Sequence, residues 1–257
     1  MRRFCFLFLI TILFPLASNA DIPPCRIVNA PTAGILPHRS YYLETHLFDG
    51  GGVTQRVIVG LFNYVNLGVS YSGSGVIGSD KVNWQPQVGF QASVRIVEES
   101  MRNPAVSIGF DSQGQGPYIR QDGMNRFLNK SRGFYAAVSR NYSLLGNLGL
   151  HGGANYSLED SDGDHDPSFW AGFDKDLGQN FEFACEYDFA TNDNENGSIT
   201  SGKGYLNTGF KIKLNGSFIL EFNLENILRN TKEDYLGVER DKPQPSRELR
   251  LTYIGSF

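Results

Sequence analysis

The chain lacks long hydrophobic runs, a basic charge excess and a dense set of cysteines, and each lack excludes a class of protein. Its mean hydropathy is -0.28, whereas a bundle of transmembrane helices needs repeated apolar runs of about 20 residues. The formal net charge of -4 argues against a nucleic-acid-binding protein, because such proteins carry basic clusters. With 3 Cys in 257 residues, the chain is not a small secreted domain built on disulfides.

Charged residues are also scarce, at 19% of the chain, whereas 19 Phe and 12 Tyr make aromatic residues frequent. A disordered chain would be poor in aromatic residues, so we expect this one to fold. No segment shows a helical period, and apolar residues instead recur at alternate positions. The composition and the period together predict an all-β protein.

The first residues have the three parts of a secretory signal peptide. Two arginines follow the initial methionine, an apolar stretch extends from Phe4 to Phe14, and small residues precede a cleavage point after Ala20. A retained membrane anchor is the weaker alternative, because the apolar stretch is too short to span a bilayer. We therefore predict a signal peptide at 1–20 and a periplasmic N-terminal leader at 21–38.

The rest of the chain divides into twelve strand-like segments with a period of two. They lie at about 39–48, 53–62, 65–73, 87–98, 104–112, 133–142, 147–158, 168–176, 180–190, 204–214, 217–226 and 247–257. The links between them alternate in length, as do the external loops and periplasmic turns of outer-membrane barrels, whereas a β-sandwich has no reason to sort its loops. We predict a closed antiparallel transmembrane barrel of about twelve strands at 39–257, in the outer membrane, with both termini periplasmic.

Each segment has one apolar face and one face that carries the charged residues. In a membrane barrel the apolar face contacts lipid and the polar face lines the interior. The residues that we expect to line the lumen are Glu44, His46, Arg56, Arg95, Asp111, His151, Asp174, Glu182, Glu186, Asp188, Lys211, Lys213, Glu221 and Arg250. These charges have two interpretations: cross-strand ion pairs that satisfy a filled interior, or the lining of a wet pore with a mild preference for cations.

The chain ends on an amphipathic segment whose last residue is Phe257. The segment looks like the C-terminal signal of bacterial outer-membrane barrels, in which the assembly machinery reads an aromatic final residue. We predict that Tyr253 and Phe257 form this assembly signal. The alternative is an ordinary amphipathic strand that happens to end in Phe.

One acidic loop is a weak candidate for a metal site. Asp160, Asp162, Asp164 and Asp166 alternate around a glycine, and spaced Asp side chains can supply oxygen ligands for Ca²⁺. The EF-hand spacing is absent, so a solvated acidic loop is the favoured interpretation and we predict no metal site.

The sequence contains fragments of motifs for catalysis and cofactor binding, but each lacks a structural feature that the motif requires. The glycine pattern at 73–78 matches G-x-G-x-x-G, but no helix follows it to hold a pyrophosphate. His46 and His151 lack a G-x-S-x-G nucleophile elbow, and no His or Cys pair has zinc-ligand spacing. We predict no catalytic residue and no cofactor.

Three short segments carry a resemblance to a known group. They are Ala30-Pro31-Thr32-Ala33-Gly34-Ile35-Leu36-Pro37, Leu67-Gly68-Val69-Ser70-Tyr71 and Gly109-Phe110-Asp111-Ser112-Gln113-Gly114. Over roughly its first half, the chain resembles bacterial outer-membrane proteins of the YjbH-like group. The resemblance implies a part in exopolysaccharide production or export, without defined catalytic residues.

Two functions therefore remain open. The first is a narrow passive channel for small hydrophilic or saccharide solutes, because a barrel of twelve strands is wider than the eight strands that side chains alone can fill. The second is a non-conducting accessory barrel of exopolysaccharide export, and an outer-membrane enzyme is a distant third. Expected partners are outer-membrane lipid, lipopolysaccharide, the barrel-assembly machinery and, for export, polysaccharide; nucleic acid is not among them.

Overall fold

The computed structural model describes residues 24–120, 123–195, 198–214, 216–232 and 244–257, so the predicted signal peptide lies outside the described residues. Its strands are β1 (Ser40–Phe48), β2 (Gly52–Leu61), β3 (Val65–Ser74), β4 (Asn83–Trp84), β5 (Gly89–Val97), β6 (Ala105–Asp111), β7 (Gln115–Ile119), β8 (Arg126–Asn129), β9 (Gly133–Ser143), β10 (Asn147–Tyr156), β11 (Ser168–Asp176), β12 (Phe181–Asp188), β13 (Tyr205–Leu214), β14 (Phe218–Glu225) and β15 (Ser246–Ser256). No helix in these ranges is long and apolar enough to cross a membrane.

Twelve of these strands form a closed antiparallel barrel, which confirms the predicted fold. The 13-stranded sheet follows the order β2-β1-β15-β14-β13-β12-β11-β10-β9-β6-β5-β3-β4, and a further pairing of β2 with β3 closes the ring. The two-residue β4 pairs only with β3 and adds no wall. The first and last barrel strands meet along a register from Ser40↔Ser256 to Leu47↔Leu249. Closure leaves no edge strand, which is the condition for a sheet to survive in hydrocarbon.

The wall alternates between an apolar outer face and a polar inner face. On β9, Phe134 is 60% exposed and Val138 is 42% exposed, whereas Tyr135 and Ser139 are buried. The same alternation recurs on β12, where Glu182 and the following inward residues are buried. An exposed apolar surface around a buried polar interior inverts the rule for soluble proteins and suits a barrel surrounded by lipid.

The long link predicted at 113–132 contains a hairpin that the sequence pattern did not reveal. Strands β7 and β8 form their own two-stranded sheet, separate from the barrel sheet. The hairpin packs against other loops through a cluster of Ile119, Met124 and Ile199, with Leu128 beside it. Strands of 5 and 4 residues are too short to display a period of two, and their apolar partner lies far along the chain.

Residues 24–37, called the inner segment below, lie inside the barrel. Ile27, Val28 and Leu36 are completely buried. Apolar side chains of the segment pack against inward residues of three wall strands in a cluster of Ile27, Val28, Ala30, Tyr135, Ala137, Trp170 and Ala184. The structure therefore places residues 24–37 of the predicted leader in the lumen, whereas residues 21–23 lie outside the described residues, and the domain boundaries at 21–38 stay a prediction. The segment lacks any periodicity that could have indicated where it docks.

Candidate functional site

The centre of the barrel interior is a tight turn of the inner segment that surrounds the carboxylate of Glu186. One oxygen of Glu186 accepts the backbone N–H groups of Val28, Asn29 and Ala30 at 3.0, 2.9 and 2.8 Å. The other oxygen accepts the side-chain amide of Asn207 at 2.9 Å. Consecutive N–H groups of this kind form an anion-binding nest, and hydrogen bonds to a charged acceptor are stronger than neutral ones. Strand β12 thus presents a fixed anion to the turn.

Arg250 of β15 holds the opposite side of the same turn. Its guanidinium donates to the carbonyl oxygen of Val28 at 2.7 Å and to the side-chain oxygen of Asn29 at 2.9 Å. It also pairs with Glu221 on the neighbouring strand at 3.0 Å. The turn is therefore clamped between an anion that binds its N–H groups and a cation that binds its oxygens.

A second charged contact fixes the start of the inner segment. The guanidinium of Arg26 lies 2.6 Å from Glu44 of β1, and the hydroxyl of Tyr42 donates to the same carboxylate oxygen at 2.6 Å. Glu44 is also within 3.5 Å of Arg250, so the two anchor points share one network. Breaking a buried pair leaves an uncompensated charge and is strongly destabilising, which ties the segment to the wall.

Neutral contacts complete the docking of the inner segment. The N–H of Ala33 donates to the hydroxyl of Ser139 at 2.9 Å, and the indole N–H of Trp170 donates to the carbonyl oxygen of Pro31 at 3.2 Å. Gly60 in β2 permits the close approach of the segment's last residues, because a Cβ there would lie 2.4 Å from a backbone oxygen. The segment is therefore held by side chains of the wall and adds no strand to the barrel sheet.

The predicted lumen residues lie at buried or half-buried positions, and many form ion pairs with one another. Glu44, His46, Arg56, His151, Asp174, Glu182, Glu186, Lys211, Glu221 and Arg250 are buried, whereas Arg95, Asp111, Asp188 and Lys213 are half-buried. Glu182 lies 2.8 Å from Lys211 and 2.9 Å from Lys213. Arg56 similarly pairs with Asp111 at 3.2 Å. In this conformation, neighbouring charges of the wall compensate each other.

Little free space remains beside the inner segment. One cavity of about 60 Å³ lies between the start of the segment and the wall, lined by Cys25, Arg26, Tyr42 and Lys211 among others. Another of about 20 Å³ lies beside Asn29 and wall residues. On this measure a cavity needs about 10–15 Å³ to hold one water molecule, so these two spaces hold one to several water molecules. The free space at these two places beside the inner segment is therefore small.

Ser139, His151 and Asp174 form a hydrogen-bonded chain that the sequence patterns missed. The imidazole of His151 lies 2.8 Å from the hydroxyl of Ser139 and 2.6 Å from Asp174. These residue types occur in hydrolase triads, and the strand register that pairs His151 with Ser139 brings them together. Ser139 is buried and its hydroxyl accepts the N–H of Ala33, which covers the nucleophile position. These three hydrogen-bonded side chains therefore help to hold the inner segment in place.

Side chains of the acidic loop form ion pairs and hydrogen bonds within the protein. Both oxygens of Asp162 are occupied, because Arg126 lies 2.5 Å away and Lys130 lies 2.7 Å away. Asp164 accepts the backbone N–H of Asp166. Asp160 is exposed, 3.7 Å from His165. A calcium ion bound here would have to displace two buried cations from Asp162, so the loop joins the hairpin to the wall rather than presenting free ligands.

The predicted assembly residues lie at the seam between the first and last strands. The rings of Tyr253 and Phe257 lie 6.0 and 6.5 Å from the ring of Tyr41 on β1. The final N–H of Phe257 donates to the carbonyl oxygen of Arg39 at 2.9 Å, and its side chain is largely exposed. Phe257 therefore contacts the first strand region through both its backbone and its ring, where the barrel closes, and most of its side chain stays accessible.

Comparisons with known proteins give a likeness of fold. No protein-family model matches the chain, and no characterised sequence matches it, so the resemblance to the YjbH-like group stays a prediction. A KdgM porin has 13% identity and a TM-score of 0.48, over 85% of this chain and 99% of that one. A NanC porin has 12% identity and a TM-score of 0.45, over 84% and 99%. An outer-membrane channel from Pseudomonas putida F1 has 12% identity and a TM-score of 0.47, over 91% and 100%.

Proposed function

We propose that the protein is a narrow passive channel of the outer membrane for small hydrophilic or saccharide solutes, with both termini periplasmic, and that the inner segment closes it. The observation that carries this proposal is that the inner segment is bound by side chains of the wall and not by strand pairing. The segment adds no strand to the barrel, and side chains of the wall bind it through Glu186 and Arg250. When the segment leaves, water can enter and solvate the freed groups, so these contacts need not leave buried charges uncompensated. The ring of barrel strands keeps its own backbone pairing throughout.

The polarity of the wall supports the same proposal. A permanent filler would be packed most cheaply against apolar residues, because replacing buried ion pairs by hydrophobic residues is often neutral or stabilising. Here one side of the segment packs on the apolar cluster around Trp170, but the inner wall also carries charges such as Glu182, Lys211 and Glu221, which water would solvate once the segment left. Twelve strands also enclose more space than wall side chains alone can fill. The wall therefore suits an aqueous pathway.

A second candidate is a non-conducting accessory barrel of exopolysaccharide production or export. The small volume of the cavities beside the inner segment, about 60 and 20 Å³, favours it. In this case the inner segment would be a permanent part of the core and the loops would carry the interactions. The two candidates differ in whether the inner segment can move.

A reversible cross-link between the segment and the wall tests the proposal. Ala33→Cys and Ser139→Cys would place two thiols where the Ala33 N–H now meets the Ser139 hydroxyl at 2.9 Å. The free Cys25 and Cys185 are first replaced by Ser. We expect brief conducting events in planar bilayers, their loss when the pair is oxidised and their return after reduction. The Ala33→Cys single variant is the control and should not respond to oxidation.

Two results would contradict the channel proposal. Folded protein that never conducts in the reduced state would favour the accessory barrel. Conductance that persists in the oxidised, cross-linked protein would show that ions pass without movement of the inner segment.

A further inference from the structure

We propose that His46, Glu225 and Glu248 form a binding site for a divalent transition-metal ion of the Zn²⁺ type, inside the barrel at its long-loop end. The site goes beyond the proposed channel function and does not depend on it. Sequence patterns placed His46 in the lumen but gave no sign of the two carboxylates, because the three residues come together only through the pairing of β1, β15 and β14.

The barrel register brings the three side chains to one place. His46 lies near the end of β1 and pairs with a residue of β15, the strand that also carries Glu248. Glu225 is the last residue of β14, on the other side of β15. One imidazole nitrogen of His46 is 2.5 Å from a carboxylate oxygen of Glu248, and one ligand atom from each residue lies within 4.8 Å of the others. Three adjacent strands thus aim one ligand each at a common point.

An unsatisfied oxygen supports a cation-binding role for this place. Glu225 is 3% exposed, and among the described residues no N–H or hydroxyl group donates to its Oε1 atom, which shares this buried space with the carboxyl group of Glu248. Its other oxygen accepts the side-chain amide of Asn29 at 2.6 Å. A buried carboxylate oxygen without a partner is costly, because it has lost its water and gained nothing in return. A metal ion bound to Oε1 would supply that partner.

The local charge balance leads to the same conclusion. Two carboxylates, Glu225 and Glu248, face a single imidazole in the buried space. Arg250 of the same strand as Glu248 pairs with Glu221 at 3.0 Å and with the inner segment. A divalent cation would compensate both carboxylates at once, whereas a buried pair of like charges is unfavourable. The charge of the three side chains therefore suits a divalent cation.

The ligand set selects the class of metal ion. One imidazole and two carboxylates suit Zn²⁺ and related ions, whereas Ca²⁺ takes 6–8 oxygen ligands. Metal–ligand bonds of about 2.0–2.2 Å require ligand atoms a little over 3 Å apart. His46 and Glu248 would move apart slightly and Glu225 would move closer, which side-chain rotation can provide. Three protein ligands leave a fourth position for water or a solute group.

Metal titration of the full-length, refolded barrel tests the site. The protein is treated with chelator and titrated with Zn²⁺ by calorimetry, with Glu225→Gln and His46→Gln as the site variants. We expect one saturable site in the parent protein and at least tenfold weaker binding in each variant. The matched control is His165→Asn. His165 and Asp160 are exposed and lie 3.7 Å apart, so this pair could bind zinc adventitiously.

The outcomes separate the proposed site from the alternatives. Absence of saturable Zn²⁺ binding would overturn the proposal, as would binding that His165→Asn abolishes and Glu225→Gln preserves. X-ray absorption of the zinc-loaded parent protein gives a readout that does not rely on the variants folding. It should report one imidazole among nitrogen and oxygen ligands, and a sulfur ligand or a shell without imidazole would contradict the assignment.

Discussion

The carboxylate of Glu186 on the barrel wall accepts the backbone N–H of Ala30 in the inner segment at 2.8 Å. The same oxygen also binds the N–H groups of Val28 and Asn29, so one wall residue satisfies three consecutive donors of the turn. A single oxygen that orders a whole turn is a point at which a small chemical change should release the segment.

Replacement of this carboxylate by a neutral amide should open the barrel. In Glu186→Gln the turn loses its charged acceptor, and hydrogen bonds to charged groups contribute about 1.5–3 kcal/mol. Since about 1.4 kcal/mol corresponds to a factor of ten, the open fraction should rise roughly tenfold or more in single-channel recordings. Glu182→Gln is the matched control, because Glu182 pairs with Lys211 and Lys213 of the wall. Equal opening in both variants would contradict the role of the nest.

The open channel should prefer cations weakly. The inward carboxylates are Glu44, Asp111, Asp174, Asp176, Glu182, Glu186, Asp188, Glu221, Glu225 and Glu248, and the inward cations of the wall are Arg56, Arg95, Lys211, Lys213 and Arg250. A lumen with an excess of one charge concentrates counter-ions, and screening over about 10 Å at 0.1 M salt weakens the effect. Reversal potentials across a KCl gradient, with chelator present, should show cation selectivity that decreases as salt rises. Anion selectivity would contradict the assignment of the inner face.

A charged substitution on the outer face should destabilise the barrel according to its depth. Phe210 is an outward residue in the middle of β13, where it stacks on Phe181 at 5.8 Å. Phe210→Lys should cost about 2–4 kcal/mol of unfolding free energy in lipid vesicles, the cost of a lysine at the bilayer midplane. Leu214→Lys, on the same face at the strand end, should cost about 0–1 kcal/mol. Denaturant titrations in vesicles measure both, and equal losses would disprove the membrane depth assumed for β13.

The docking of the acidic loop on the β7–β8 hairpin should weaken as pH rises. Burial raises the pKa of Glu159 above its usual value, although its carboxylate accepts the N–H groups of Phe127 and Ser131. Because the folded-state pKa is the higher one, the folded loop favours the protonated carboxyl group. This contribution to stability is present at low pH and is lost as pH rises through the raised pKa.

Hydrogen-exchange protection factors of the hairpin amides measure this effect. Protection should fall with rising pH in the parent protein and change much less in Glu159→Gln. The exposed Asp160→Asn variant is the control and should behave as the parent protein does. A pH dependence that survives in Glu159→Gln would assign it to another group.

The sequence by itself determined the wall of the barrel. Every transmembrane strand must place apolar side chains on lipid and polar ones inside, and this requirement appears as a local period of two. On β12 the alternation of Phe181, Glu182 and Phe183 was therefore enough to identify a strand and its two faces. Loop lengths of alternating size then indicated closure. Because both signals are read from the order of residues along the chain, no contact between distant parts of the chain was needed.

Only the tertiary structure decided what fills the barrel. The inner segment has no period, and its place depends on partners such as Glu186 and Arg250, more than 150 residues away along the chain. The contacts of His151 with Ser139, and of His46 with Glu248, likewise depend on strand register, which moves whole sets of side chains when it shifts by one residue. Local alternation indicates whether a side chain points into the barrel or out of it. It does not indicate which other side chain that residue contacts, because the contact depends on the register of all the strands in the closed barrel.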